Sequence, residues 1–238
     1  RPLSPLPDWV ALEHSVAQIL TQQELHGWYF DERAAWKLES DLRTELEELT
    51  QVLRNRHPFV AGSIFNPRRN NQTLGYVEAT GRTEKHEHCK EIKEIQECSF
   101  TKLKEFNPTS RDHIAWILTS HYGWTPSSIS SNGKPVIDEI VLKEIGTDIA
   151  MKLFRCLELK KMLGLLSVGV NAWLKLVTKS NRIHHHCSVA TNTFRCSHRK
   201  PNLSQVPSDE KFRKLFTASP RMVMCGADLS GIELRMLA

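Results

Sequence analysis

The sequence predicts an α+β protein, mostly helical in its first part and α/β in its second, and three observations carry that reading. Apolar residues recur at helical spacing through two long segments near the start and two more between about residues 110 and 166. After Trp173 the pattern changes to short apolar or mixed runs bounded by turn residues. Between the two pairs of helical segments, residues of about 56–105 lose periodicity and read as an irregular insertion. The division is accordingly 1–178 for the helical region and 179–238 for the α/β part.

In the segment Trp9 to Leu25 apolar residues recur at helical spacing, Val10, Leu12, Val16, Ile19 and Leu20, and Gly27 punctuates the end. Asp31 is placed to cap a second helix reaching about Arg54, in which Leu38, Leu42, Leu46, Leu49 and Leu53 repeat every three or four residues. The run from Pro58 to Pro108 holds Gly, Pro, Asn and many charges, so at most short strands are expected there. Helical order returns at Ser110 to Tyr122, with Ile114, Ile117 and Leu118 on one face, and from about Asp148 to Leu166. Met222 to Ala227 is almost wholly apolar and is the best strand candidate, and a helix restarts at Gly231.

Composition narrows the class without naming a function. A formal charge of +5 suits a polyanionic partner but also many proteins that bind none. The 6 cysteines lack regular spacing and no leader-like segment precedes the first helix, which argues for a reducing compartment, the cytoplasm by default, rather than a secreted disulfide framework. The most apolar stretch, Met162 to Val170, is broken by Gly164 and Gly169 and falls short of the ~20 residues a membrane helix needs, so no membrane partner is expected. The chain begins at Arg1 rather than methionine and stops at Ala238 inside a helix-like segment, as a piece of a longer protein would.

Chemistry concentrates at the C-terminal end. The strand candidate runs into Asp228, and Leu229-Ser230-Gly231 turns the chain into Ile232-Glu233-Leu234-Arg235-Met236-Leu237. A carboxylate at the lip of a buried strand needs either helix N-terminal amides or a cation as partner. Spacing alone leaves both open: Asp228 or Ser230 capping the last helix, or Asp228 holding a metal.

The string Ala227 to Ala238 resembles motif A of family A DNA polymerases, the DNA polymerase I family. Carried over by position, the resemblance implies that Asp228 is the catalytic ligand of two Mg2+ ions and that the backbone carbonyl of Leu229 is a further ligand. It implies that Glu233 closes the space beside the sugar C2′ and so selects deoxynucleotides. Upstream, Thr191-Asn192-Thr193-Phe194-Arg195 and Pro201-Asn202-Leu203-Ser204-Gln205-Val206-Pro207 are similar to the family's T-x-T-x-R and P-N-L-x-x-I-P segments. Thr191, Thr193, Arg195, Asn202 and Gln205, with Arg235, are then expected along primer-template DNA, where Arg and Asn reach the minor-groove acceptors common to every base pair. Phe194 stands where the family commonly has glycine. Without the resemblance, Arg195, Arg199 and Lys200 read as a solvated basic loop.

Phe106-Asn107-Pro108-Thr109-Ser110-Arg111-Asp112-His113-Ile114, with Gly123-Trp124-Thr125-Pro126 after it, looks like the thumb of phage-type replicative members, and Asn107-Pro108 with Ser110 is also a good helix start by itself. The resemblance thus implies an incomplete right-hand polymerase fold, a helical thumb followed by the start of a mixed α/β palm. Its implied function is template-directed 5′–3′ DNA synthesis from deoxynucleoside triphosphates, in the host cytoplasm if the source is viral. Residues of about Arg56 to Thr101 occupy the place where phage-type members can bind a host processivity protein. No fingers helix or second palm carboxylate follows motif A, so the chain alone is expected to be inactive. A non-catalytic duplex-binding fragment and a zinc-containing nucleic-acid-binding protein are the competing readings.

Zinc is suggested by His184, His185, His186, Cys187, Cys196 and His198, and by His86, His88, Cys89 and Cys98. The gaps in both groups are irregular and do not form the matched pairs of common structural sites, so no zinc ligand is assigned from sequence. Lys102, Lys104, Lys152, Lys160 and Lys161 read as solvated positions.

Overall fold

The computed structural model describes residues 7–65, 100–192 and 195–237, in two compact units: 1–44 with 161–238, and 45–160. Each unit has a core of its own. Most of the expected insertion, with His86, His88, Cys89 and Cys98, lies outside the described residues, as does Thr193.

In the unit 45–160, the C-terminal half of α2 (Glu32–Arg56) presents Leu46, Leu49 and Leu53, the stripe its periodicity predicts, to the core. Strands β2 (Phe59–Phe65) and β3 (Phe100–Glu105) pair antiparallel, with Phe59 opposite Glu105 and a register shift between Ala61 and Ile64. Arg54 fastens the end of α2 to this ribbon, its Nε donating to the Phe106 carbonyl at 2.9 Å and its Nη1 pairing with Glu105 at 2.9 Å.

Helix α3 (Arg111–Tyr122) buries Ile114, Ile117 and Leu118 completely, the face predicted from sequence. Its approach is fixed by Asn107, whose Oδ1 accepts from the Thr109 amide at 3.0 Å, and its end by Gly123 at φ 64°, a left-handed position that glycine adopts without strain. Helix α4 (Glu139–Ile145), which the sequence reading left unassigned, is capped by Asp138 Oδ1, accepting from the Ile140 and Val141 amides at 3.0 and 2.9 Å. Helix α5 (Asp148–Leu163) adds Ile149, Ala150, Leu153 and Cys156 to the core. Burial pushes the Cys156 thiol up to about 11, so it stays protonated at neutral pH. Arg155 forms a two-pronged pair with Glu45 at 2.6 and 2.8 Å and reaches Glu158 at 2.7 Å.

In the other unit, α1 (Asp8–His26) ends at Gly27, and β1 (Trp28–Tyr29) pairs antiparallel with β4 (Arg182–Ile183). Gly27 sits at φ 66°, and a Cβ there would lie 2.9 Å from the His184 ring, so both backbone and space require glycine. Asp31 caps α2 as predicted, its Oδ1 accepting from the Ala34 amide at 2.9 Å. The core is aromatic: the buried Trp173 ring meets Phe30, Phe212 and Phe216 edge to face at 6.2, 6.1 and 5.1 Å. Trp173 opens the short helix α6 (Trp173–Leu176), after a π-helical turn at Gly164–Val168 where the sequence predicts uninterrupted α-helix to Leu166. Phe212 lies on α7 (Glu210–Arg213).

Glu39 is buried on α2, and its Oε1 accepts from Arg43 and, at 2.9 Å, from the Ser167 hydroxyl. The Arg43 hydrogen bond holds its carboxyl below the usual carboxylate range against the opposing effect of burial.

One expected element is corrected. Residues 222–227 form no strand, and Met222, Val223 and Met224 are exposed. A strand requires a neighbour for its backbone donors and acceptors. The described strands pair elsewhere, β1 with β4, β2 with β3, and β5 (His186–Ser188) with β6 (Ser197–Arg199), and none of them pairs with residues 222–227. The final helix is present as α8 (Ile232–Leu237). Among the described residues no helix is long and apolar enough to cross a membrane.

Leu153→Ala, which empties a fully buried position, is expected to lower the stability of the unit 45–160 by about 2–5 kcal/mol in denaturant unfolding. Glu39 has a lowered folded-state pKa, so its ionisation stabilises the fold above the ordinary value of 4.5, and that stabilisation is lost as pH falls through the lowered value. The stability difference between the native chain and Glu39→Gln should therefore be widest at neutral pH and vanish in acid, as read by urea titrations across that range.

Candidate nucleic-acid and metal site

The sequence-predicted residues fall in two places. The first is the hairpin of β5 and β6 with the turn that follows it. Cys187 lies opposite His198, and His186 opposite Arg199. Strand alternation divides the His184-His185-His186-Cys187 run between two sides. His184 Nδ1 bonds the Glu24 carbonyl at 2.8 Å and His186 Nδ1 pairs with the Glu24 carboxylate at 3.0 Å, facing α1. The Cys187 amide donates to Glu24 Oε1 at 2.6 Å, and this bond is the main reason the Glu24 carboxyl stays below its ordinary pKa.

His185 and Cys187 therefore share the other side, with His198 across the ribbon. One ring nitrogen from each histidine and the Cys187 sulfur lie within 4.8 Å of one another. The His185 and His198 rings stack with centroids 5.2 Å apart, and Nδ1 of each is buried with no hydrogen-bond partner among the described residues. Burial, and next His198, hold His185 below the ordinary imidazole pKa. Cys187 is joined to Cys196 by a disulfide, although sequence predicts no disulfide framework. The signal that separates these four from the other histidines is His-x-Cys and Cys-x-His, each with period 2, at the two ends of one loop.

Between Cys187 and Cys196 runs the loop of the first candidate DNA-binding residues. The Thr191 hydroxyl donates to the Arg195 carbonyl at 2.9 Å, closing the loop on itself, and the Arg195 side chain is exposed. After β6, Asn202 Oδ1 accepts from the Ser204 amide at 3.1 Å and its hydroxyl at 2.6 Å, capping a 3-10 turn at Leu203–Gln205. The Asn202 Oδ1 is thus engaged locally, and Gln205 at the end of the turn is exposed. The lysines Lys152 and Lys160 instead serve the protein, pairing with Asp148 at 2.7 Å and the Thr109 carbonyl at 2.9 Å.

The second place is the C-terminal segment. Met222, Val223 and Met224 line a cavity of about 250 Å³ with Gly27, Trp28, Tyr29 and Arg182. Arg182 reaches Ser219 Oγ at 2.7 Å and so ties the start of the segment to β4. Asp228 follows outside any helix or strand, exposed, with no hydrogen bond or ion pair to a described residue. Gly231 at φ 62° turns the chain into α8, which carries Glu233 and an exposed Arg235; the Glu233 side chain is outside the described residues.

Comparisons with known proteins agree on one relationship. The chain is 30% identical to the DNA-directed DNA polymerase of Escherichia phage T7, across 96% of this chain and 39% of that protein. It is 29% identical to the DNA-directed DNA polymerase of Enterobacteria phage T3 over the same shares. It thus spans about two fifths of the length of these curated relatives. Among solved structures it is similar to the POL domain of Pol1 from M. smegmatis, determined in complex with DNA primer-template and dNTP, with a TM-score of 0.58 at 15% identity, covering 87% of this chain and 30% of that one. That likeness supports the α+β polymerase fold. Residues 78–238, more than half of the sequence, match the family described as DNA polymerase family A, and the chain belongs to that family.

Proposed function

We propose that this chain is the thumb and first palm segment of a template-directed 5′–3′ DNA polymerase, one that binds primer-template duplex and supplies a metal-binding aspartate. The observation that carries the reading is the string Ala227-Asp228-Leu229-Ser230-Gly231-Ile232-Glu233-Leu234-Arg235 at the end of the family match. The names of the phage relatives, and the primer-template and dNTP of the structural neighbour, support the substrate class. On this reading residues 1–178 are the thumb region and 179–238 the start of the palm.

The Asp228 carboxylate is exposed without a described partner, and the adjacent Leu229 lies outside any helix or strand. Oxygen donors of this kind fit a hard divalent cation, Mg2+ by its chemistry. Held there by the Asp228 carboxylate and the Leu229 carbonyl, such ions would supply Lewis-acid activation of a primer hydroxyl and charge neutralisation at the leaving pyrophosphate. One carboxylate holds an ion pair poorly, so further acidic ligands from the longer polymerase complete the site.

The chain's own residues bind and select. Arg195, the NH2 of Asn202 and Gln205 donate to minor-groove acceptors that every base pair presents, which tests pair geometry without reading sequence. Thr191 holds the loop that presents Arg195, Thr193 belongs to the same T-x-T-x-R segment of the sequence, and Arg235 contributes positive charge one turn into α8. Glu233 bars a ribose 2′ hydroxyl by leaving no room or partner for it.

The test is primer extension with Mg2+ and deoxynucleotides by the chain continuous with, or mixed with, a C-terminal complement. Asp228→Ala is expected to lower the rate by a factor on the order of 10³ or more while duplex binding persists. Duplex binding without extension in the unmodified completed form would instead establish a non-catalytic duplex-binding module. Glu233→Ala, in the same assay, is expected to raise ribonucleotide incorporation relative to deoxynucleotide on the order of 10²-fold.

A further inference from the structure

We infer that, with its cysteines reduced, the β5–β6 hairpin binds one zinc ion through His185, Cys187, Cys196 and His198. Three of the donors already lie within 4.8 Å of one another, and the fourth, Cys196 Sγ, is bonded to Cys187 Sγ. Ligands about 2.0–2.3 Å from a tetrahedral zinc stand about 3.3–3.8 Å apart, so small side-chain movements suffice once the sulfurs separate. The ligand set is two imidazoles and two thiolates, a combination that favours zinc over the hard cations suited to Asp228.

The surroundings fit a metal better than a plain core. His185 is 3% exposed, yet its Nδ1 has no partner among the described residues, and the same holds for His198 Nδ1. A buried polar atom left unpaired costs about 1–3 kcal/mol, and here two such atoms belong to rings stacked 5.2 Å apart. The flanking residues supply the support that metal ligands require. His184, His186 and the Cys187 amide are all anchored on Glu24, which fixes the rotation of the strand and commits His185 and Cys187 to the opposite side.

The chemistry balances as follows. A thiol reductant passes two electrons and two protons to the Cys187–Cys196 disulfide, is itself oxidised to a disulfide, and leaves two thiols. Each thiol releases its proton to water as its thiolate binds zinc, so two protons leave per ion and the two thiolates neutralise its charge. The metal would close the base of the loop that holds Thr191 and Arg195. That consequence rests on the polymerase reading, but metal binding itself does not.

The test uses the full chain, reduced with a phosphine under argon, its free thiols counted, loaded with Zn2+ or Co2+ and then dialysed. About one zinc per chain by elemental analysis, and the intense visible absorption of tetrahedral thiolate-bound cobalt, are expected. Cys187→Ser with Cys196→Ser, and separately His198→Ala, should lose both signals, while Cys225→Ser, an exposed cysteine elsewhere, should keep them. A fully reduced native chain that retains no zinc overturns the inference. So does zinc retained in full by the double serine variant, which would place the metal elsewhere, whatever the outcome of primer extension.

Discussion

Glu24 sits near the end of the first helix, and its carboxylate accepts the backbone amide of Cys187, a residue far along the chain, at 2.6 Å. Strand residues alternate sides, so one bond to the backbone of one residue decides the direction of every neighbour. With Cys187 fixed, His184 and His186 turn towards α1, His185 and Cys187 turn away, and register carries the choice across to His198. A slip by one residue would send the two outer histidines into the volume that His185 and Cys187 occupy. The loop from Ser188 to Arg195 is then suspended from a hairpin whose orientation was settled by a helix far away in sequence.

The aromatic cluster around Trp173 does for the rest of that unit what Glu24 does for the hairpin. It is non-directional, whereas the Glu24 bond is directional, and the two divide the work accordingly. Trp173, Phe30, Phe212 and Phe216 gather segments from both ends of the sequence into one core. Asp228 needs no such packing. From Met222 to Asp228 its segment is exposed.

Much of the fold was legible because it is local. The leucine stripe of α2, the Asp31 cap, the Gly27 stop and the Ile114 face of α3 each follow from spacing within a few residues. The Met222 to Ala227 run was misread because a strand is defined by its neighbours, and apolar composition says nothing of whether one is alongside. α4 is only 7 residues long and its cap, Asp138, follows an irregular stretch, so periodicity had too little length to register. For the candidate site, resemblance to the family's motifs is what singles out Asp228, Glu233 and the Arg195 and Asn202 segments in the sequence. The histidine and cysteine group was set aside because linear gaps were compared with linear templates, whereas the relevant spacing is across a hairpin. Only register reveals that Cys187 and His198 are neighbours.

The close approach of Gly27 to His184 has an evolutionary corollary. From Glu24 to Gly27 the chain has a fixed phase, because each helical residue turns the axis by about 100°. A single residue gained or lost inside that stretch would swing the Glu24 carboxylate to the wrong azimuth while Gly27 stayed clamped against the imidazole. Length changes ahead of Glu24 carry no such penalty, since they move neither group. Lineages of this protein should therefore vary freely in the reach of their first helix yet keep the interval between those two positions constant.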